Sequence, residues 1–299
     1  MAQPVVGGRA VARSSGLEGM TVLSVVMPAH DEEALIAGAV RAIASAEIDL
    51  SVVVNGCTDA TAERAREAGV PLRVIELSDA SKIRALNAGS AAAHVSPVAF
   101  VDADVTIAGA DLITLAQRLA ADPEAEVAAP TMRVLPSTSW WVRQYYKIWE
   151  LTEYRTKGHI GSGVYMLTRR GRERISQFPD IIADDLFVQQ HFALGERLTP
   201  TDLTFSVRAP GTLASLVKRN TRIAAGNQQF AQMFPELTPP PTATGARVIL
   251  TTVWRRPTLW LGFVVYAWVY AAAHRGARRL RQRRLHVDWN RDDTTRSAQ

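Results

Sequence analysis

The sequence predicts an α/β fold: a Rossmann-like mixed, mostly parallel sheet flanked by helices. Three observations carry this. Short β-branched runs alternate with alanine-rich stretches of helical length from Thr21 onward, 47% of the 299 residues are hydrophobic, and no repeat or low-complexity segment interrupts the alternation. A chain of this size and composition buries a real core, which excludes disorder, collagen and disulfide scaffolds. The single cysteine, Cys57, forms no intramolecular bridge, and no Cys-x-x-Cys or Cys/His cluster along the chain offers a zinc site.

Strands are read at Val22 to Met27, Leu50 to Val54, Leu72 to Leu77 and Val98 to Val101. Helices follow them at roughly 32–46, 59–69, 82–93 and 110–121, with Asp31, Thr58 and Ser81 where N-caps belong. A strand from Glu126 to Met132 closes this half. In the second half, aromatics from Trp140 to Trp149 at spacings of four and five predict one helix with a broad aromatic face. A glycine-rich strand is read at Ile160 to Leu167, a helix at Ile182 to Leu194 opening on Asp184-Asp185, a strand at Leu203 to Val207 and a helix at Gly211 to Phe230. Pro239-Pro240-Pro241 marks a linker.

The formal charge of +5 is concentrated at one end. Ten basic and three acidic residues lie at 255–299, a net +7, which leaves the preceding residues at −2 and argues against a nucleic-acid surface. The first 20 residues lack an apolar core of the secretory kind and read as a flexible extension.

The sharpest chemical signal is Phe100-Val101-Asp102-Ala103-Asp104-Val105, an Asp-x-Asp where an apolar strand ends. Two carboxylates one residue apart can face one hard cation, and Mg²⁺ or Mn²⁺ joins such ligands to diphosphate oxygens. Alone, the motif is as consistent with a turn. Before it stand Val26-Met27-Pro28-Ala29-His30-Asp31-Glu32-Glu33, then Val54-Asn55-Gly56-Cys57-Thr58-Asp59, then Lys82-Ile83-Arg84-Ala85-Leu86-Asn87-Ala88-Gly89.

In order and spacing these four segments resemble the inverting glycosyltransferases of family 2, which have the GT-A fold, over roughly residues 22 to 230. The resemblance implies that Pro28, Asp31, Glu32, Asn55, Asp59, Lys82 and Asn87, with Asp102 and Asp104, surround a nucleotide-sugar donor. Asp102 and Asp104 hold the metal in that reading, and Lys82 stands near the diphosphate. Asn55 replaces the family's frequent Asp, so base recognition there would use an amide. Asp184-Asp185 resembles the family's Glu-Asp pair, which makes Asp185 the candidate base for the acceptor hydroxyl. Gly161-Ser162-Gly163 resembles the small-residue strand lining the acceptor site, and His159 beside it is an acceptor contact or an ordinary surface histidine. Arg219-Asn220-Thr221-Arg222-Ile223 keeps only Arg222 of the processive Gln-x-x-Arg-Trp motif, which disfavours a polymerase and leaves Arg222 for the diphosphate.

The uncharged stretch Pro257 to Ala273 would span about 25 Å as a helix, the lower limit for a bilayer. Arg275, Arg278, Arg279, Arg281, Arg283 and Arg284 follow it and prefer the cytoplasmic leaflet, where nucleotide sugars also are. One crossing cannot keep both on that side. The stretch therefore lies in the interface, forms a re-entrant hairpin with Arg247 to Trp254, packs on a partner, or is a buried helix of the soluble core.

The expected organisation is an extension at 1–20, a catalytic domain at 21–235 (donor half 21–132, acceptor half 133–235), a linker at 236–246, a membrane-associating segment at 247–285 and a tail at 286–299. The expected activity is metal-dependent inverting transfer of one sugar to a membrane-proximal acceptor, a lipid-linked one among the alternatives, at the cytoplasmic face of the cell membrane. A nucleotidyltransferase is weaker because His30-Asp31-Glu32-Glu33 would repel a triphosphate. An inactive membrane-tethered binding protein with the same fold is the other alternative.

Overall fold

The computed structural model describes residues 21–152, 158–239 and 244–282. The expected extension at 1–20 and tail at 286–299 lie outside these residues, as do Pro240, Pro241, Arg283 and Arg284.

The first part of the chain rests on four parallel strands: β1 (Leu23–Ala29), β2 (Ile48–Asn55), β3 (Arg73–Leu77) and β4 (Val98–Val101), in the order β3-β2-β1-β4. Every residue of β1 is buried, because helices cover both faces of the sheet. From β1 the chain steps outward through β2 and β3 and then returns to add β4 on the other side. This reversal opens a crevice at the carboxyl ends of β1 and β4.

Helices α1 (Ile36–Ile43), α2 (Thr61–Arg66), α3 (Lys82–Ala92) and α4 (Gly109–Ala121) all form, the first two shorter than expected. Ser81 caps α3 by accepting from the Arg84 N–H at 3.2 Å. Asp31 and Thr58 do not cap helices. Asp31 takes a left-handed φ of 50°, and its carboxylate accepts from the Thr58 N–H at 2.6 Å, so the pair ties together the loops after β1 and β2. Gly89 is required by packing: a Cβ there would sit 2.2 Å from Val26 Cγ1, where α3 lies on β1.

The remainder of the chain up to Met233 is more broken. It comprises β5 (Val105–Thr106), β6 (Val127–Ala128), β7 (Thr131–Leu135), α5 (Trp140–Trp149), β8 (Val164–Leu167), α6 (Arg169–Ile175), α7 (Asp184–Gln190), β9 (Arg197–Leu198), β10 (Thr204–Arg208) and α8 (Leu213–Met233). The main sheet continues antiparallel from β4 to β8, then through β6 to β9, while β5, β10 and β7 make a second sheet. The expected strand from Glu126 to Met132 is thus two strands in two sheets, divided at Pro130, which has no N–H for a ladder. Helix α7 stops at Gln190, earlier than expected, where the Arg197 guanidinium takes the carbonyls of Gln189 and Phe192, each at 2.7 Å.

Two further helices follow, α9 (Thr244–Arg255) and α10 (Trp260–Gln282). Val265, Val269, Ala273 and Ala277, four residues apart, are buried where α10 packs on α5 and α8, and Tyr266 stacks on Tyr145 with ring centroids 5.2 Å apart. Within the region expected as a membrane-associating segment at 247–285, α10 is therefore docked on α5 and α8. No helix of the described residues is long and apolar enough to cross a membrane.

Candidate active site

The crevice is dominated by carboxylates. Asp102 follows β4 directly, and its N–H donates to the Gly163 carbonyl at 2.8 Å. Ala103 turns into the core, so Asp102 and Asp104 share the outward side, and the charge of Asp104 is felt at Asp102. Lys82, the first residue of α3, places Nζ 2.9 Å from Asp102 Oδ1 and 3.2 Å from Asp184 Oδ1. One ammonium thus links the Asp-x-Asp strand end to the start of α7.

The electrostatics follow from this crowding. Burial disfavours the Lys82 ammonium, but Asp102 and Asp184 outweigh it and hold its pKa above the ordinary value. The Asp102 carboxyl is pushed up to about 6 by burial, Lys82 acting against this and Asp104 and Asp184 adding to it. Asp184 is raised too, first by burial and then by Asp185, while Lys82 and Arg222 pull it down. Asp184 Oδ2 is buried and has no hydrogen-bond partner among the described residues. Excess negative charge with an orphaned carboxylate oxygen fits a cation-binding pocket.

Gly161, Ser162 and Gly163 have φ of 111°, 64° and 104°, so this segment is a left-handed turn and β8 starts only at Val164, later than expected. The turn separates Asp102 from Asp185. Asp185 Oδ2 accepts from the Ser162 N–H at 3.2 Å and Oδ1 from the Leu186 N–H at 2.8 Å. A Cβ on Gly161 would lie 2.4 Å from Asp185 Cβ, and one on Gly163 would lie 2.7 Å from Val105 Cγ1 and 3.5 Å from Asp102 Oδ2. Gly161→Ala is expected to cost about 1–3 kcal/mol of stability and, by displacing Asp185, to lower kcat about a hundredfold. Steady-state kinetics beside a thermal melt checks this, and an unchanged kcat would show that the turn does not set the Asp185 position.

His159 is not a surface histidine. Its Nε2 lies 3.0 Å from Ser162 Oγ, and burial, with the Arg197 charge, pushes its pKa down to about 4 against the pull of Asp185. The folded imidazole stays neutral and takes up a proton on unfolding below the ordinary 6.5. Its contribution is full above that pH and is lost as pH falls toward 4, by up to about 1.4 kcal/mol per pH unit. His159→Gln should flatten the fall in stability between pH 7 and 5 in denaturant melts; identical slopes would exclude a neutral buried imidazole.

At the β1 and β2 ends, Asp31 and Glu32 are buried, and the Glu32 N–H donates to Thr61 Oγ1 at 2.7 Å. Three residues expected as donor contacts make hydrogen bonds within the fold. Asn55 is fully buried, its Nδ2 donating to the Ala29 carbonyl at 2.8 Å, so its amide braces β1. Asn87 clasps the Phe178 backbone, donating to its carbonyl at 3.0 Å and accepting from its N–H at 2.9 Å. Asp59 accepts from the Glu33 N–H at 3.2 Å and the Thr61 N–H at 3.1 Å, stapling the two loops. Pro28 is buried within β1.

The structure thus gathers Lys82, Asp102, Asp104, Asp184, Asp185, His159, Arg222 and the 161–163 turn in one place. Sequence reasoning missed Tyr165, whose buried hydroxyl has no partner among the described residues and feels Asp184 and Asp102. A tyrosine within an apolar strand was its one available signal.

The model of the family described as Glycosyl transferase family 2 matches residues 24–173. A mannosyltransferase from Pyrobaculum calidifontis, solved with GDP-Man and Mn²⁺, is similar with a TM-score of 0.59 at 21% identity, over 87% of this chain and 75% of that one. Glucosyl-3-phosphoglycerate synthase from Mycobacterium tuberculosis, solved with Mn²⁺ and UDP-Glc, is similar with a TM-score of 0.53 at 19% identity, over 76% of this chain and 83% of that one. At these identities the likeness shows the fold, the α/β architecture of GT-A glycosyltransferases. No curated protein matches the chain.

Proposed function

Because the chain belongs to glycosyl transferase family 2, we propose that it moves a single sugar, with inversion, from a nucleotide-diphosphate donor to an acceptor, with Mg²⁺ or Mn²⁺ as cofactor. The observation that carries this is the convergence of Asp102, Asp104, Lys82 and Asp184 beside Asp185. Asp102 and Asp104 would hold the cation, which when bound supplies charge stabilisation to the departing nucleoside diphosphate. Lys82 adds a second positive charge at the same place, and the charge of Arg222 is felt at Asp184. Asp185, with both oxygens oriented by backbone N–H groups, takes the proton of the acceptor hydroxyl as the sugar transfers. The turn at 161–163 leaves room for the acceptor because glycine carries no side chain.

The donors bound by the two similar proteins support guanosine- and uridine-diphosphate sugars as the first candidates. Incubation with each, with and without Mn²⁺, tests the reading. Metal-dependent release of nucleoside diphosphate is expected; pyrophosphate from a triphosphate would indicate a nucleotidyltransferase, and neither product would indicate a binding protein.

The acceptor is proposed to be membrane-proximal, with residues 21–235 as the catalytic unit and 247–285 meeting the cytoplasmic leaflet. Support comes from the faces of α9 and α10 turned away from the body, where Trp254 is 82% exposed and Trp260, Val264, Trp268 and Tyr270 are exposed too. Trp140 and Trp141 of α5 add to the exposed aromatics, and no acidic residue interrupts the chain between Glu236 and Asp288. Such a surface lies in an interface without crossing it. The full chain is expected to sediment with anionic vesicles in low salt, each arginine near the lipid contributing about 1 kcal/mol. Trp254→Ser with Trp268→Ser should abolish sedimentation, whereas equal sedimentation of this variant would remove the α9–α10 face from the account.

A further inference from the structure

We propose that His30, Asp31 and Cys57 form a site for a zinc-class divalent cation at the ends of β1 and β2, separate from the Asp102–Asp104 pair. Each residue offers one ligand atom, and the three atoms lie within 4.8 Å of one another. Cys57, which follows β2, meets His30 and Asp31, which follow β1, only in space.

The tautomer of His30 suits ligation. Its Nδ1 lies 2.7 Å from the Asn55 carbonyl, an acceptor only, so Nδ1 carries the hydrogen and donates it. The lone pair of the neutral ring is then on Nε2, which lies 3.9 Å from Asp31 Oδ2. A metal-bound histidine characteristically has this backbone carbonyl behind it, because it fixes the ring and raises its basicity. Asp31 is set by its left-handed backbone and by the Thr58 N–H on Oδ1, which turns Oδ2 toward His30. The Asp31 N–H points at Cys57 Sγ from 3.1 Å, and the thiol lies 3.7 Å from the Ala29 carbonyl as a donor, so the sulfur is fixed beside Asp31.

Chemistry separates the two cation sites. A mixed nitrogen, oxygen and sulfur set selects Zn²⁺, Co²⁺ or Cd²⁺, whereas Mg²⁺ and Mn²⁺ prefer the all-oxygen ligands that Asp102 and Asp104 provide. Binding releases the Cys57 proton to solvent and leaves a fourth position for water. Asp31 is also among the residues expected around the nucleotide-sugar donor, so an occupied site competes with the nucleotide and the ion acts as an inhibitor. This last consequence rests on the proposed function; cation binding itself does not.

Co²⁺ titration of the full chain in excess Mg²⁺ tests the site through the thiolate-to-Co²⁺ charge-transfer absorption. A saturable one-to-one band is expected. It should vanish in Cys57→Ser, require about tenfold or more Co²⁺ in His30→Gln, persist in Asp102→Asn, and be competed by UDP or GDP. Zn²⁺ should bleach the band and slow alkylation of Cys57 in the unaltered protein, a readout that needs no variant to fold. No thiolate band, an unchanged affinity in His30→Gln, or alkylation indifferent to Zn²⁺ would overturn the site. Any of these with intact Mn²⁺-dependent nucleotide release would overturn it alone and leave the transferase reading standing.

Discussion

Asp102→Asn is expected to lower metal-dependent turnover about a thousandfold or more, the scale on which charge stabilisation in a transition state is lost, while the protein stays folded. The substitution keeps shape and removes a charge. Its effect on stability follows from the direction of the Asp102 shift: the folded value, about 6, lies above the ordinary 3.8. Such a group favours folding fully below the ordinary value, and the contribution is lost as pH rises through 6, so at pH 7 the ionised Asp102 is a burden on the fold. Asp102→Asn should therefore melt no lower than the parent at pH 7, and Lys82 keeps Asp184 as a partner. Asp104→Asn should show the same kinetic loss with a smaller change in melting, because Asp104 is exposed. Kinetics across a Mn²⁺ series, beside melting curves, check both variants. Full activity in either would remove the metal role from that residue.

Asp185→Asn is expected to lower kcat by about 10²- to 10⁴-fold, with donor binding preserved. The amide oxygen can still accept from the Ser162 N–H, 3.2 Å away in the parent, while the Leu186 N–H loses its 2.8 Å acceptor, so the tie between residue 185 and the turn is kept. What disappears is the ability to take a proton. An acceptor that is already ionised, such as a lipid phosphate, needs no base, and with it the variant would turn over nearly as fast as the parent. The same measurement thus tests the role of Asp185 and reads the chemistry of the acceptor, provided donor affinity is measured separately by nucleotide binding.

The parallel-strand part of the fold was legible because its signals are redundant. Each parallel strand is a buried apolar run, each helix has room to show its pattern, and the Asp-x-Asp sits at the end of a strand whose limits match the structure, Val98–Val101. The later strands were not, because β5, β6 and β9 are two residues long, too short for any period to show. The 161–163 segment reads as a strand by composition, and only its backbone angles make it a turn. Asn55 and Asn87 show a different limit. An amide that clasps backbone and one that reads a base are the same letter, and only burial and partners separate them. The Lys82 bridge between Asp102 and Asp184, residues far apart along the chain, exists only once the chain is folded. The sequence could place Lys82 near the diphosphate but could not supply its partners. The apolar stretch after Pro257 has the length of a marginal span, yet its small residues at 273 and 277 are spaced to let α10 lie on α5 and α8.

The central claim is that Asp102 and Asp104 grip the cation that neutralises the leaving diphosphate. Equilibrium Mn²⁺ binding, followed by loss of the free-ion paramagnetic resonance signal with UDP or GDP present, tests it most directly. The unaltered protein should retain a single tightly held ion, and the protein carrying both Asp102→Asn and Asp104→Asn should retain none at the same concentrations. Equal retention by the two proteins would contradict the account.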